Sequence, residues 1–472
     1  MMKNLNKDLI STIEAKENLF LPGADQFSLP EKVLQFGTGV LLRGLPDQYI
    51  QDANNKGLFN GRIVVVKSTA SAGMDEFNEQ DCLYTVWFRG IREGQLVEEF
   101  RINNSISRVL SAASDWSQVL SLSTSEDLEI VTSNTTEVGM IYQEELILEN
   151  IPQSFPGRLL KILYTRFLHF NGDKSKGLVI IPAELIEHNA DVLKAVLLRL
   201  SKFNNLSAEF EDWLLHANFF CNTLVDRIVP GKLNVADQQK AEAFLGYSDK
   251  LMIMAEPFGL WAIESAEPRV MDVLSFCDDA AGCKLVPSIE KFKELKLRLL
   301  NASHTFACGV SMLAALDYVR DSMQHSLVSA YIKRLALEEI AASIQGESIT
   351  PEEANLFARN VLDRFSNPYL QHQWKSISAQ FALKMKVRCM PLIKQYTDRY
   401  KKLPVGMLIG LAAFMVHEGT PINNIETVIT DEAKWGMDLS QIDGLVQELT
   451  NLVSSLSENK IFSILENYTA GI

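Results

Sequence analysis

A chain of 472 residues with 47% apolar and 22% charged side chains has ample material for a core and room for two or three domains. Its net charge of −14 excludes a surface built for nucleic acid or anionic lipid, because phosphate binding needs clustered Lys and Arg. The first residues are polar, the longest apolar run (405–416) is too short for a bilayer, and the six cysteines show no CxxC pair; a cytoplasmic protein with no membrane partner and no metal site is expected.

Residues 31–44, EKVLQFGTGVLLRG, run a short apolar strand (Val33 to Phe36) into Gly37-Thr38-Gly39, and a helical segment with Val40, Leu41 and Arg43 follows. Strand, glycine turn and helix is how a dinucleotide pyrophosphate is held: small residues let the backbone approach, and the helix start offers free N–H groups. Leu42 stands where the fingerprint has its third glycine, so a plain strand-to-helix turn fits the local pattern equally. A second strand, Arg62 to Val66, ends in Lys67-Ser68; the acid that usually binds the adenosine ribose there is absent, so this position does not separate NAD from NADP. The stretch through Asp81 to Thr85 carries no clear assignment.

A third strand, Leu128 to Val131, leads into Thr132-Ser133-Asn134-Thr135-Thr136-Glu137. Hydroxyls and an amide past a strand's C-terminal end stand where doubly wound sheets bind cofactors. Asn134 and Glu137 also have the spacing of a capping box. A fourth strand, Gly177 to Ile181, runs into Pro182-Ala183-Glu184-Leu185, and a helix follows from Asp191. Residues 218–230, NFFCNTLVDRIVP, read as one further strand-like run carrying Asp226-Arg227, a pairing that is more often structural than catalytic. Cys277 to Gly282 looks like a hinge.

After Val286 the pattern turns helical, with segments at 327–340, 352–365, 376–388 and 442–456. The expected fold is therefore α/β: a Rossmann-type doubly wound sheet in residues 1–281, followed by an all-α domain in residues 282–472. The second part opens on a helix starting at Ser288 and stopping at Gly309, which holds Lys296, Asn301 and His304. At helical spacing these lie at roughly 0°, 140° and 80° around the axis, so an amine, an amide and an imidazole can reach one cavity. That set can move a proton on and off a substrate oxygen and hold the oxygen's charge. The adjoining Lys291, Lys293 and Arg298 read as a solvated basic face.

The Lys-x4-Asn-x2-His spacing of Lys296, Asn301 and His304 resembles the catalytic signature of the long-chain mannitol dehydrogenase family. Phe220 to Pro230 resembles that family's other signature, and Gly37-x-Gly39-x3-Arg43 its cofactor loop. Within the family, QFGTG, TSNTTEVG, IIPAELIEHN and NTLVDRIV are most similar to the branch acting on hexuronates, while Glu184-Leu185 replaces the Asp-Asn pair of the mannitol branch. The resemblance implies a metal-independent reduction of D-tagaturonate to D-altronate by NADH. Lys296 would act as general acid and base, with Asn301 and His304 hydrogen-bonding the oxygen as charge develops. A fructuronate or mannitol-type reductase of the same family, or a non-catalytic NAD-binding scaffold, are the alternatives.

NAD would then lie on Phe36, Gly37, Thr38, Gly39, Val40, Leu41, Arg43, Lys67, Asn134, Thr135 and Glu137. The sugar-acid substrate needs a cation for its carboxylate, and Asp226, Arg227, His372, Lys384 and Arg388 are the candidates for binding it, with Lys384 and Arg388 four apart on one helix face.

Overall fold

A computed structural model describes residues 2–67, 75–278, 280 and 282–470. The chain divides into two compact units, Met1–Arg89 with Glu98–Ile289, and Gly90–Val97 with Glu290–Ile472.

In the first unit six parallel strands form the central sheet: β1 (Glu31–Phe36), β2 (Arg62–Lys67), β3 (Ile106–Ser111), β4 (Ile130–Ser133), β5 (Val179–Pro182) and β6 (Phe219–Phe220). Their spatial order, β3-β2-β1-β4-β5-β6, is the doubly wound order of a Rossmann sheet, as expected. Side chains alternate across the strands, so Val33, Ile63 and Val65 enter the core on one face while Leu34, Phe36, Val64 and Val66 enter the core on the other. Burial on both faces is why these strands read as unbroken apolar runs. The order reverses between β1 and β4, where Phe36 pairs with Ser133. Ligands of such sheets bind outside the strand ends at this reversal.

The stretch left unassigned in the sequence is a long hairpin, Tyr84–Arg92 and Gln95–Asn103, in a separate four-stranded sheet. Its turn residues Glu93 and Gly94 both have positive φ, the conformation of a tight hairpin turn. The run 218–230 is two strands and not one: Phe219–Phe220 edges the central sheet, while Thr223–Asp226 joins Leu260–Glu264 and Cys283–Val286 in a third sheet. Within the segment read as a hinge, Cys277 is disulfide-bonded to Cys283, which residue spacing did not signal; Cys82, Cys221, Cys308 and Cys389 are free and buried.

Apart from residues 90–97, the second unit is helical, and three of its described helical stretches contain π turns, at Lys296–Ala302, Leu335–Ile340 and Met385–Cys389. The helix expected to stop at Gly309 continues to Leu313. Glycine is there for a close crossing: a Cβ on Gly309 would come 2.9 Å from the Ala413 carbonyl carbon in the helix Val405–His417. That apolar helix is a core element whose first amides, Gly406 and Met407 N–H, donate to the buried Glu339 carboxylate at 2.8 and 2.9 Å. Among the described residues no single helix is long and apolar enough to cross a membrane. The expected helix 376–388 is broken at Gln380, which takes a left-handed conformation (φ 55°).

Candidate active site

At the reversal of the central sheet, Phe36 is buried against Phe155 and the chain leaves β1 through Gly37. Gly37 has φ +123°, and a Cβ there would sit 3.2 Å from the Asn134 carbonyl oxygen, so a side chain would be both strained and crowded. Gly39 differs: its backbone is ordinary extended chain, and an added Cβ would meet nothing within 4 Å. The loop thus keeps an open face at Gly39, beside the half-buried Thr38, at the start of the short helix Val40–Gly44. Val40 and Leu41 pack partly against the core.

Several residues expected at the cofactor have hydrogen-bond partners within the protein. Arg43 turns inward: it is 6% exposed, its Nη1 donates to the Leu251 carbonyl at 2.6 Å, and its guanidinium lies over the Tyr84 ring. Asn134 donates its amide to the Ala183 carbonyl at 2.6 Å and caps no α-helix; a 3-10 turn, Glu137–Met140, follows it. The Glu184 carboxylate accepts from Thr135 N–H, Thr135 Oγ1 and Ser133 Oγ, tying the end of β5 to the end of β4. Burial raises the Glu184 carboxyl pKa against the pull of those donors. Thr136 has φ 73°, an uncommon conformation for a β-branched residue that marks strain just beyond the end of β4. Lys67 is buried at the end of β2. Ser68 and the side chain of Glu137 lie outside the described residues.

In the helical unit, Lys296 opens the π turn and Asn301 lies within it. An i→i+5 turn brings residues five apart into line, so Lys296 and Asn301 come closer around the axis than α-helical spacing implies. Both are half-buried, and among the described residues the Asn301 side-chain amide makes no hydrogen bond. His304 is buried, 4.0 Å from the Phe365 ring and 5.1 Å from the His372 ring. Its Nδ1 lies 3.1 Å from the Leu300 carbonyl. A carbonyl only accepts, so Nδ1 carries the proton. Burial first, then the charges of His372, Arg364 and Arg388, hold His304 well below the ordinary histidine pKa. A neutral ring protonated at Nδ1 offers its Nε2 lone pair as an acceptor.

The cations also separate. Arg227 holds the Phe258 and Gly44 carbonyls at 2.8 and 2.7 Å, and Asp226 is buried at the end of its strand. Lys384 donates to the Ile377 carbonyl at 2.8 Å. The Arg388 guanidinium is half-buried and has no hydrogen-bond partner among the described residues. Burial first, and the Arg388 charge as a lesser cause, lower the pKa of both Lys384 and His304. Arg364, buried and near His304 and His372, was missed in the sequence because nothing local marks a helix-end arginine as inward-facing.

Residues 31–272 match the family model for the mannitol dehydrogenase Rossmann domain, and residues 288–420 the model for the mannitol dehydrogenase C-terminal domain. The chain is 34% identical over 464 residues to altronate oxidoreductase of Bacillus subtilis (strain 168), covering 93% of this chain and 95% of that one. It is 40% identical over 390 residues to altronate oxidoreductase of Halalkalibacterium halodurans, covering 82% and 75%. Among solved structures it resembles a D-sorbitol dehydrogenase in substrate-free form (TM-score 0.79, 20% identity, 98% of this chain and 100% of that one). It also resembles Pseudomonas fluorescens mannitol 2-dehydrogenase in a ternary complex with NAD and D-mannitol (TM-score 0.67, 19% identity, 99% and 100%).

Proposed function

The chain belongs to the mannitol dehydrogenase family, and from that premise we propose that it is an NAD-dependent enzyme reducing the ketone of D-tagaturonate to D-altronate, and running the reverse oxidation. Similarity to altronate oxidoreductases over nearly the whole chain supports the hexuronate. The observation that carries it is the half-buried Arg388 guanidinium, without a hydrogen-bond partner among the described residues and close enough to His304 to lower its pKa. A planar carboxylate matches that fork in a way a polyol does not.

The glycine loop fits a dinucleotide, since a Cβ on Gly39 would enter open space and Gly37 holds a conformation closed to other residues. Phe36, Gly37, Thr38 and Gly39 would hold it, and NADH bound there would supply the hydride for reduction, with NAD accepting it in the reverse oxidation. Lys296 gives a proton to the ketone oxygen in reduction and takes it back in oxidation. The Asn301 amide donates to that oxygen as negative charge gathers on it. The His304 lone pair accepts from a neighbouring substrate hydroxyl, and Arg388 pairs with the carboxylate.

NADH oxidation measured side by side with D-tagaturonate, D-fructuronate and D-fructose tests this reading. The highest kcat/KM is expected for tagaturonate. A preference for fructose overturns the hexuronate, a preference for fructuronate moves the enzyme to the sister activity, and no turnover of any leaves a non-catalytic scaffold. Comparable efficiency with NADPH overturns the choice of NAD.

A further inference from the structure

Arg298 was read in the sequence as part of a solvated basic face, yet it is 9% exposed. It lies two residues beyond Lys296 in the same π turn. Its Nε donates to Glu294 at 2.9 Å, and its Nη1 donates to two backbone carbonyls, Val387 at 2.9 Å and Arg388 at 2.8 Å. Those carbonyls belong to the π turn Met385–Cys389. The two turns also touch where the Cys389 thiol lies 3.9 Å from the Ala302 carbonyl.

The reason the Val387 carbonyl takes a donor from another helix is written in the sequence. In an α-helix the Val387 carbonyl would accept from the N–H four residues on, which is position 391. That position is Pro391, which has no N–H and whose ring crowds the carbonyl four residues back. The helix widens there into the π turn and continues as Met390–Tyr400. The guanidinium of Arg298 supplies the donor that the proline withholds. It is the residue type for the task, because one rigid fork can serve a carboxylate and two carbonyls together.

The cross-link thereby joins the turn that carries Lys296 and Asn301 to the turn that carries Arg388. A hexuronate presents its ketone and its carboxylate at opposite ends of one carbon chain, so reading both needs a fixed spacing between proton donor and guanidinium. We propose that Arg298 is a positioning residue that sets this spacing, by pinning the Val387 and Arg388 backbone to the turn of Lys296. The role rests on the reading of Arg388 as the partner of the substrate carboxylate.

The test measures kcat and KM with D-tagaturonate and with D-fructose for Arg298→Met, Arg298→Lys, Arg388→Met and the double variant Arg298→Met/Arg388→Met. Arg298→Met should raise KM for tagaturonate by about tenfold, the scale of one charge-assisted hydrogen bond, while KM for fructose moves by less than about twofold. Because its effect runs through Arg388, adding Arg298→Met to Arg388→Met should change little further. Arg298→Lys, whose compact ammonium cannot span Glu294 and both carbonyls, should fall between wild type and Arg298→Met. Equal losses on both substrates, or losses that multiply in the double variant, overturn the positioning role alone. A wild type indifferent to the carboxylate overturns the reading of Arg388 and this role with it. Should Arg298→Met fail to fold, Arg298→Lys decides by itself, and an unchanged KM for tagaturonate in that variant overturns the role.

Discussion

Gly39→Val separates folding from cofactor binding more cleanly than any other change in the glycine loop. Gly39 has φ −62° and ψ 154°, a conformation that any residue adopts, and no atom lies within 4 Å of an added Cβ. Replacing glycine lowers the entropy of the unfolded chain, worth roughly 0.4–1 kcal/mol of stabilisation, while a valine N-cap gives back a similar amount. The melting temperature should therefore move little. Binding is another matter, because the side chain would fill the space through which a pyrophosphate approaches the loop amides. Losing one charge-assisted hydrogen bond costs about 1.5–3 kcal/mol, so NADH should bind roughly tenfold to a hundredfold more weakly. Fluorescence titration of NADH, run beside a thermal melt, reads both quantities. A stable variant that binds NADH as tightly as wild type would place the dinucleotide elsewhere and refute the reasoning.

Lys296→Ala should lower kcat by about a hundredfold or more while NADH affinity stays near wild type; a variant that keeps most of its kcat at neutral pH denies Lys296 the proton. Asp47 is fully buried, and burial lifts its carboxyl to about 7 despite the Gln35 amide, the Arg43 charge and the Tyr84 hydroxyl. A pKa raised above the unfolded value of about 3.9 means stability present at low pH and lost as pH rises through 7, with a ceiling of about 4 kcal/mol. Asp47→Asn should therefore melt higher than wild type at pH 8, with the gap closing toward pH 4, and a gap that does not vary with pH would deny the titration. Gly309→Ala should destabilise by about 1–3 kcal/mol despite alanine's better helix propensity, because the new methyl meets the Ala413 backbone; an unchanged or higher melting temperature would show that the crossing can open.

The sequence by itself carried the features that are local in the chain. Apolar runs closed by glycine or polar turns marked β1, β2, β4 and β5, and 3.6-residue periodicity marked the helices, because burial imposes those repeats wherever the element ends up. The spacing of Lys296, Asn301 and His304 was equally plain, and so was Gly37, whose conformation only glycine adopts. What a polar side chain holds was not legible, since the partner arrives from a distant part of the chain. Arg43 and Arg227 hold the Leu251 and Gly44 carbonyls, and Asn134, which has the spacing of a helix cap, bonds the Ala183 carbonyl. The π turns were invisible for the same reason: Pro391 announces a missing donor, but only the packing of one helix against another reveals that Arg298 fills its place. The tautomer of His304 was likewise hidden, since the Leu300 carbonyl that fixes the Nδ1 proton and the burial that lowers its pKa come only with packing. Residue types and their period are properties of the chain, while protonation, tautomer and the choice among competing hydrogen-bond partners depend on desolvation and distance, which exist only once the chain is packed.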